Sequence, residues 1–317
     1  HLSHRMSEAT HQAVTVADIF NYKTITGICG LLRSGSALVD IPRINTQEAP
    51  LSFAQERLWF IEQYEGGTDA YHIPLVFALD DDIDIPALEY ALQAVVKRHH
   101  ILRSVLAQDK EGRYCQVVKD HPLPIIHKPI GEDRFTLERQ AFLEKPFALA
   151  TEYPMRVCVY EVDCTRSEAN TTDELPNNRK HKQPFIMFVF HHIAFDAWSK
   201  QVFFNELYHF YREKTKNVIT PLPAPAIQYQ DFAVWQRGDI AKRLTDLMGY
   251  WEKTLEGYDT LNFPLDYSRS DKADYRGDSL VFQLSKTQSQ QLKKIAESYG
   301  VTLYTVLLTA YAIVLSK

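Results

Sequence analysis

Between residues 51 and 216, short apolar runs alternate with longer stretches whose apolar residues recur at helical spacing. The runs "YHIPLVFALD", "YCQVVK", "MRVCVYEV" and "PFIMFVF" read as strands, and "SFAQERLWFIEQY" reads as a helix. Two further stretches are strongly amphipathic, "DIPALEYALQAVVKRHHILR" and "AWSKQVFFNELYHFYREK". Pro86 sits in the first turn of the former, where its missing N–H leaves no bond unmade. Helices interleaved with strands bury their apolar stripes against a sheet, so the pattern predicts an α/β domain.

The flanks are different. Residues 1–34 read as three short helices, with Thr15 capping the second, Thr24 the third and Gly35 just past the last. They offer too little surface to bury a core alone. The polar segment "SGSALVDIPRINTQEAP" then reads as a linker. Residues 163–183, "DCTRSEANTTDELPNNRKHKQ", are polar and charged and read as a disordered hairpin insertion between two strands. After "PLPAPAIQYQDFAVWQRG" the chain predicts a helix ("LTDLMGYWEKTLEGY"), a strand ("DSLVFQLS") and two closing helices. The last, "TLYTVLLTAYAIVLSK", is apolar on nearly every side and calls for partners all round. With no initiating Met and a start like the middle of a helix, the chain is expected to be a piece of a longer polypeptide, its second lobe continuing past Lys317.

Composition excludes several classes. A net charge of −5 offers no basic stripe for nucleic acid. No apolar run reaches ~18 residues, so no membrane span is expected, and no signal peptide is recognisable. Cys29, Cys115, Cys158 and Cys164 lack metal-binding spacing. They read as free thiols of a cytoplasmic protein, although Cys158 and Cys164 could meet across a hairpin.

The chemistry concentrates in "FVFHHIAFDAWSK" at 188–200. Neighbouring strand residues point to opposite faces, so one of His191 and His192 is embedded and the other presented at the strand end. Asp196 lies where the chain turns into a helix. On these residues alone, a pair of hydrogen-bonded core histidines with a helix-capping aspartate accounts for the pattern. A metal site lacks further ligands, and a serine triad lacks its G-x-S-x-G elbow.

Three more stretches accompany it in order: "LSFAQERLWFIEQ" (51–63), "RHHILRS" (98–104) and "YQDFAVWQR" (229–237). Together with "HHIAFDAWS" they resemble the first four core motifs of the condensation domains of nonribosomal peptide synthetases. Those domains are similar to chloramphenicol acetyltransferase and share its HH-x3-D-G pattern. The segment "VTVADIFNYKTITGICGLL" is likewise similar to the last helices of a peptidyl carrier domain, and Ser3 lacks the context of a carrier's attachment serine.

The resemblance implies a two-lobed α/β sandwich: carrier helices at 1–35, a linker at 36–50, an N-terminal lobe at 51–225, and the start of a truncated C-terminal lobe at 226–317. It implies peptide-bond formation between two carrier-bound thioesters, with 4'-phosphopantetheine on upstream donor and downstream acceptor carrier domains, an adjacent adenylation domain, and no metal. His192 corresponds to the catalytic histidine; an imidazole, titrating near 6.5, suits proton or hydrogen-bond acceptance at cellular pH. His191 is then structural, and Asp196 pairs with an arginine, either Arg98 or Arg103. Arg57, Trp198 and Trp235 are architectural, and Ser199 is a helix-start hydroxyl. Ala197 stands where the family has glycine, which matters if the backbone there has positive φ. An epimerisation domain of the same fold and a non-catalytic carrier-docking module are the alternatives. Heterocyclisation domains replace the two histidines with aspartates.

Overall fold

A computed structural model describes residues 2–10, 12, 14–33, 41–167, 178–217, 221–263, 265–268, 277 and 280–316. The chain divides into two compact units, 1–245 and 246–317. The expected boundary at 225/226 lies inside the first.

In that first unit, α1 (Leu2–Thr10), α2 (Val16–Tyr22) and α3 (Ile25–Arg33) form the short helices at the start. Thr15 caps α2 in a reciprocal box with Asp18, and Thr24 Oγ1 accepts the Gly27 N–H at 3.1 Å at the start of α3. Gly35 lies outside the described residues.

Among the described residues seven strands follow: β1 (Glu48–Pro50), β2 (His72–Ala78), β3 (Ser104–Gln108), β4 (Tyr114–Val118), β5 (Ile125–Gly131), β6 (Met155–Ser167) and β7 (Asn178–His191). They make a three-stranded antiparallel sheet, β1-β4-β3, and a four-stranded mixed sheet, β2-β7-β6-β5. In the larger sheet only β5 and β6 run parallel. The first unit also holds α4 (Phe53–Glu65), α5 (Ile85–Arg98), α6 (Glu132–Glu144) and α7 (Ala197–Lys216). Helix α8 (Tyr229–Thr254) runs through the boundary between the units.

The larger sheet is covered on both faces, which is why β6 and β7 read as near-continuous apolar runs. On one face Ile186, Phe188 and Phe190 of β7 pack with Leu92 and Val95 of α5 and Phe203 of α7. Alternate β7 residues turn the other way. Met187 meets Cys158 and Tyr160, against Phe142 of α6, and Val189 meets Trp59 of α4. Phe188 and Phe190 are at most 1% exposed, each contributing about 1.5–3 kcal/mol by burial. This anchored strand carries the histidine pair at its end.

Several expectations need correction. The linker's last residues, Glu48–Pro50, are β1, because their backbone completes a ladder with β4. The ends of the supposed disordered insertion are also ordered: β6 and β7 stay paired as far as Ser167 and Asn178. Residues 168–177 lie outside the described residues. Cys158 and Cys164 sit six residues apart on β6, about 20 Å at strand rise, and cannot join. Burial pushes the Cys158 thiol up to about 11. The helix expected from Leu244 begins at Tyr229, carrying Gly238 within it.

In the second unit, α9 (Lys286–Tyr299) and α10 (Leu303–Leu315) form as expected and meet at a 103° bend. The strand expected at 278–285 does not form over its described residues 280–285. A strand needs a ladder partner for its backbone, and these residues have none among the described strands. Among the described residues, no single helix is long and apolar enough to cross a membrane.

Candidate active site

His191 is the last residue of β7 and pairs with His72 of β2. It is fully buried, between the rings of Tyr71, His72 and Phe147. Its Nδ1 accepts the Ile193 N–H at 3.1 Å, so the proton of the neutral ring sits on Nε2. That nitrogen lies 3.2 Å from Oε1 of Glu62, a side chain only 3% exposed.

His192 follows the strand and is exposed. Its backbone N–H donates to Tyr71 O at 2.9 Å, while the neighbouring His191 N–H donates to Pro154 O at 2.9 Å. Gln55 Nε2 donates to Ile193 O at 3.4 Å. The segment presenting His192 is therefore held on both sides. The alternation expected for the two histidines is what the structure places here: one embedded, one presented.

Asp196 caps α7, accepting the Ser199 N–H at 2.7 Å and the Ser199 hydroxyl at 2.6 Å. The Ser199 hydroxyl, then its N–H, hold the Asp196 carboxyl below its ordinary range, with smaller contributions from the Trp198 N–H and His192. Neither expected arginine pairs with it. Arg98 Nε bonds Glu206 Oε1 at 3.0 Å, and His99 Nε2 lies 2.6 Å from the other oxygen of the same carboxylate. Arg103 donates to Lys119 O at 2.6 Å and reaches Asp120 at 3.4 Å. The reason is local: a carboxylate at a helix start is taken by the orphan N–H groups beside it, and Glu206 on α7 faces the end of α5. Burial pushes the Glu206 carboxyl up, but His99 and Arg98 outweigh it and leave it lowered.

Ala197 is the first residue of α7, exposed, and not at positive φ; among the described non-glycine residues only Lys23 and Asn217 are. The backbone conformation that would call for glycine is absent. Arg57 is exposed, Trp198 is 57% exposed, and Trp235 is half-buried beside Phe232.

All four motif stretches converge. The Ser52 hydroxyl meets the Tyr229 hydroxyl at 2.9 Å, and Arg237 Nε donates to Leu51 O at 2.6 Å, joining the first stretch to the last. Gln230 Oε1 of the last stretch lies 3.1 Å from His100 Nδ1, and Gln228 just before it accepts the His100 N–H and donates to Arg98 O, each at 3.0 Å, tying in the second. Gln55 and Glu62 connect the first to the histidine turn. A cavity of about 150 Å³ lies beside that turn, lined by Ala194, Phe195, Trp198 and His99 among others. Among the described residues no cluster of three His, Cys, Asp or Glu could hold a metal.

Sequence reasoning missed Glu62, Gln55, His72 and Glu206. The signal for two of them was present: Gln55, Trp59 and Glu62 fall at i, i+4 and i+7, one face of α4, and all three are buried.

A mixed α/β sandwich with an HH-x3-D turn at the end of its central strand defines a protein of the chloramphenicol acetyltransferase-like class. The condensation-domain model matches residues 45–169 and 177–317, and the chain belongs to that family. It is 30% identical to N-(5-amino-5-carboxypentanoyl)-L-cysteinyl-D-valine synthase of Penicillium chrysogenum, over 100% of this chain and 8% of that protein. It is 29% identical to one of the plipastatin synthase proteins of Bacillus subtilis, over 99% of this chain and 12% of that one. The chain thus spans about a tenth of the length of these relatives. Among solved structures it resembles the X-domain from teicoplanin biosynthesis (TM-score 0.72, 24% identity, 87% of this chain and 59% of that one). It also resembles a four-domain nonribosomal peptide synthetase bound to AMP and glycine (TM-score 0.65, 20% identity, 88% of this chain and 20% of that one).

Proposed function

We propose that this chain supplies the catalytic histidine of a condensation centre in nonribosomal peptide synthesis, joining two substrates held as thioesters on the phosphopantetheine arms of carrier domains. The acceptor's amine attacks the donor's thioester carbonyl; the C–N bond forms, the C–S bond breaks, and the thiolate leaves. His192 accepts the amine's hydrogen bond and then its proton, which returns to the departing sulfur. Upstream donor and downstream acceptor carriers, with an adenylation domain to load them, are the partners this reaction requires.

The observation that carries the reading is the placement of His192. It is a solvent-facing imidazole on a backbone tied to Tyr71 and, through its neighbours, to Pro154 and Gln55. A fixed imidazole beside two tethered reactants combines general-base action with a reduced entropic cost of encounter.

The test replaces His192 with Ala in the native polypeptide, supplied with loaded donor and acceptor carriers. Peptide transfer, read as a mass shift on the acceptor, should fall by about 10²-fold or more while the melting temperature is unchanged. Near wild-type transfer by a folded His192→Ala protein would remove His192 from the chemistry.

A further inference from the structure

Glu62 belongs to the first motif stretch, yet one of its carboxylate oxygens meets the third. Its carboxylate is 3% exposed and lies against a fully buried imidazole. Helix α4 ends in Gly66 and Gly67, both at positive φ, and this turn brings the Thr68 N–H to 3.3 Å from Glu62 Oε2. The other oxygen, Oε1, faces His191 Nε2 at 3.2 Å. The carboxylate therefore ties the end of α4 to the end of β7.

The consequence for the histidine turn follows from the imidazole's two nitrogens. A neutral ring has one donor and one acceptor. Glu62 accepts only, so it fixes the proton of His191 on Nε2 and leaves Nδ1 free to take the Ile193 N–H at 3.1 Å. That bond spans His192: the ring before it holds the backbone after it. The turn is closed further by the Ala194 N–H on His191 O at 3.0 Å. Without the carboxylate the buried Nε2–H loses its acceptor, and only the Ile193 N–H still favours this tautomer, since the other one would set two N–H donors against each other there.

We infer that Glu62 is a positioning residue for the condensation centre, acting through the tautomer of His191 to hold the turn that presents His192. The inference rests on the reading of His192 given above, and its distinguishing feature is an effect on turnover without an effect on carrier binding. Glu62→Gln is the informative variant because it keeps size and shape. Its amide oxygen can still accept from His191, but its NH2 then meets the Thr68 N–H; turned over, it confronts His191 Nε2–H instead. Either arrangement loses one bond of the tie.

The experiment compares wild type, Glu62→Gln, Glu62→Ala and His192→Ala in the native polypeptide, with loaded donor and acceptor carriers as substrates and 15N-histidine NMR as a second readout. Glu62→Gln should lower kcat about 10-fold, with the KM for the acceptor carrier within twofold of wild type and the melting transition retained. Glu62→Ala should lose more. The His191 15N shifts should report Nε2-protonated imidazole in wild type and a shift toward the Nδ1-protonated form in the Glu62 variants. Wild-type kcat and an unchanged tautomer in Glu62→Gln, with His192→Ala inactive, would overturn the inference and leave the function standing. A loss of kcat that only tracks the folded fraction would also overturn it. Full transfer by His192→Ala would instead overturn the function on which the inference rests.

Discussion

His72 shows how the surroundings of one residue set a property of the whole chain. Its Nδ1–H donates to Leu143 O at 2.8 Å, and its Nε2 is buried with no partner among the described residues. Burial lowers its pKa below the ordinary 6.5, outweighing the help from Leu143 O. His100 is lowered for the same first reason, against Gln230. In the unfolded chain both rings protonate near 6.5, so below that pH the unfolded state binds more protons and stability falls. The contribution is complete above pH 6.5 and is lost as pH drops toward the folded values. Urea midpoints should therefore decline between pH 7.5 and 5.5, and His72→Phe should flatten the decline; equal slopes in both proteins would count against it. The same environment explains what was legible at this scale. The opposite fates of His191 and His192 follow from strand alternation and were readable. The partner of His191 was readable only from the helix face that Glu62 shares with Gln55 and Trp59, and it was missed because an acidic residue on a helix usually marks the solvated face.

At the scale of elements, α7 is fastened by two carboxylates with different jobs. Asp196 caps its start and is exposed, its carboxylate accepting from the N–H and hydroxyl of Ser199. Glu206, 15% exposed in its side chain, binds Arg98 and His99 at the end of α5. Removing the cap should cost about 1 kcal/mol. Removing Glu206 leaves a half-buried guanidinium unpaired and should cost about 3 kcal/mol, the low end for a buried pair. Chemical denaturation of Asp196→Ala and Glu206→Ala measures both, and a larger loss for Asp196 would restore the arginine pairing expected from the motif. That expectation failed because spacing shows which residues recur together, not which of several carboxylates an arginine chooses. Elements were readable where periodicity was strong, as in α5 and α7. They were hidden in β5, where Lys128 and Pro129 interrupt the apolar run, and in α8, whose start lies behind a proline-rich lead and whose interior carries Gly238.

At the scale of the molecule, the two units differ in what they bury. The first packs apolar clusters against both faces of the mixed sheet. In the second, Ala296 is the one buried apolar side chain among the described residues. Large apolar groups there stand open, Leu280 at 90%, Phe282 at 76% and Tyr304 at 72% exposed. A unit that buries so little apolar surface cannot offset the conformational entropy of ordering its chain. Residues 246–317 expressed alone should show no cooperative thermal transition, whereas a protein ending at Thr254, which keeps α8 whole, should melt in one step. The whole chain in isolation should self-associate through those apolar groups, with an apparent mass rising with concentration in light scattering, and the protein ending at Thr254 should not. A concentration-independent monomer for the whole chain, or a cooperative melt of 246–317 alone, would overturn this expectation.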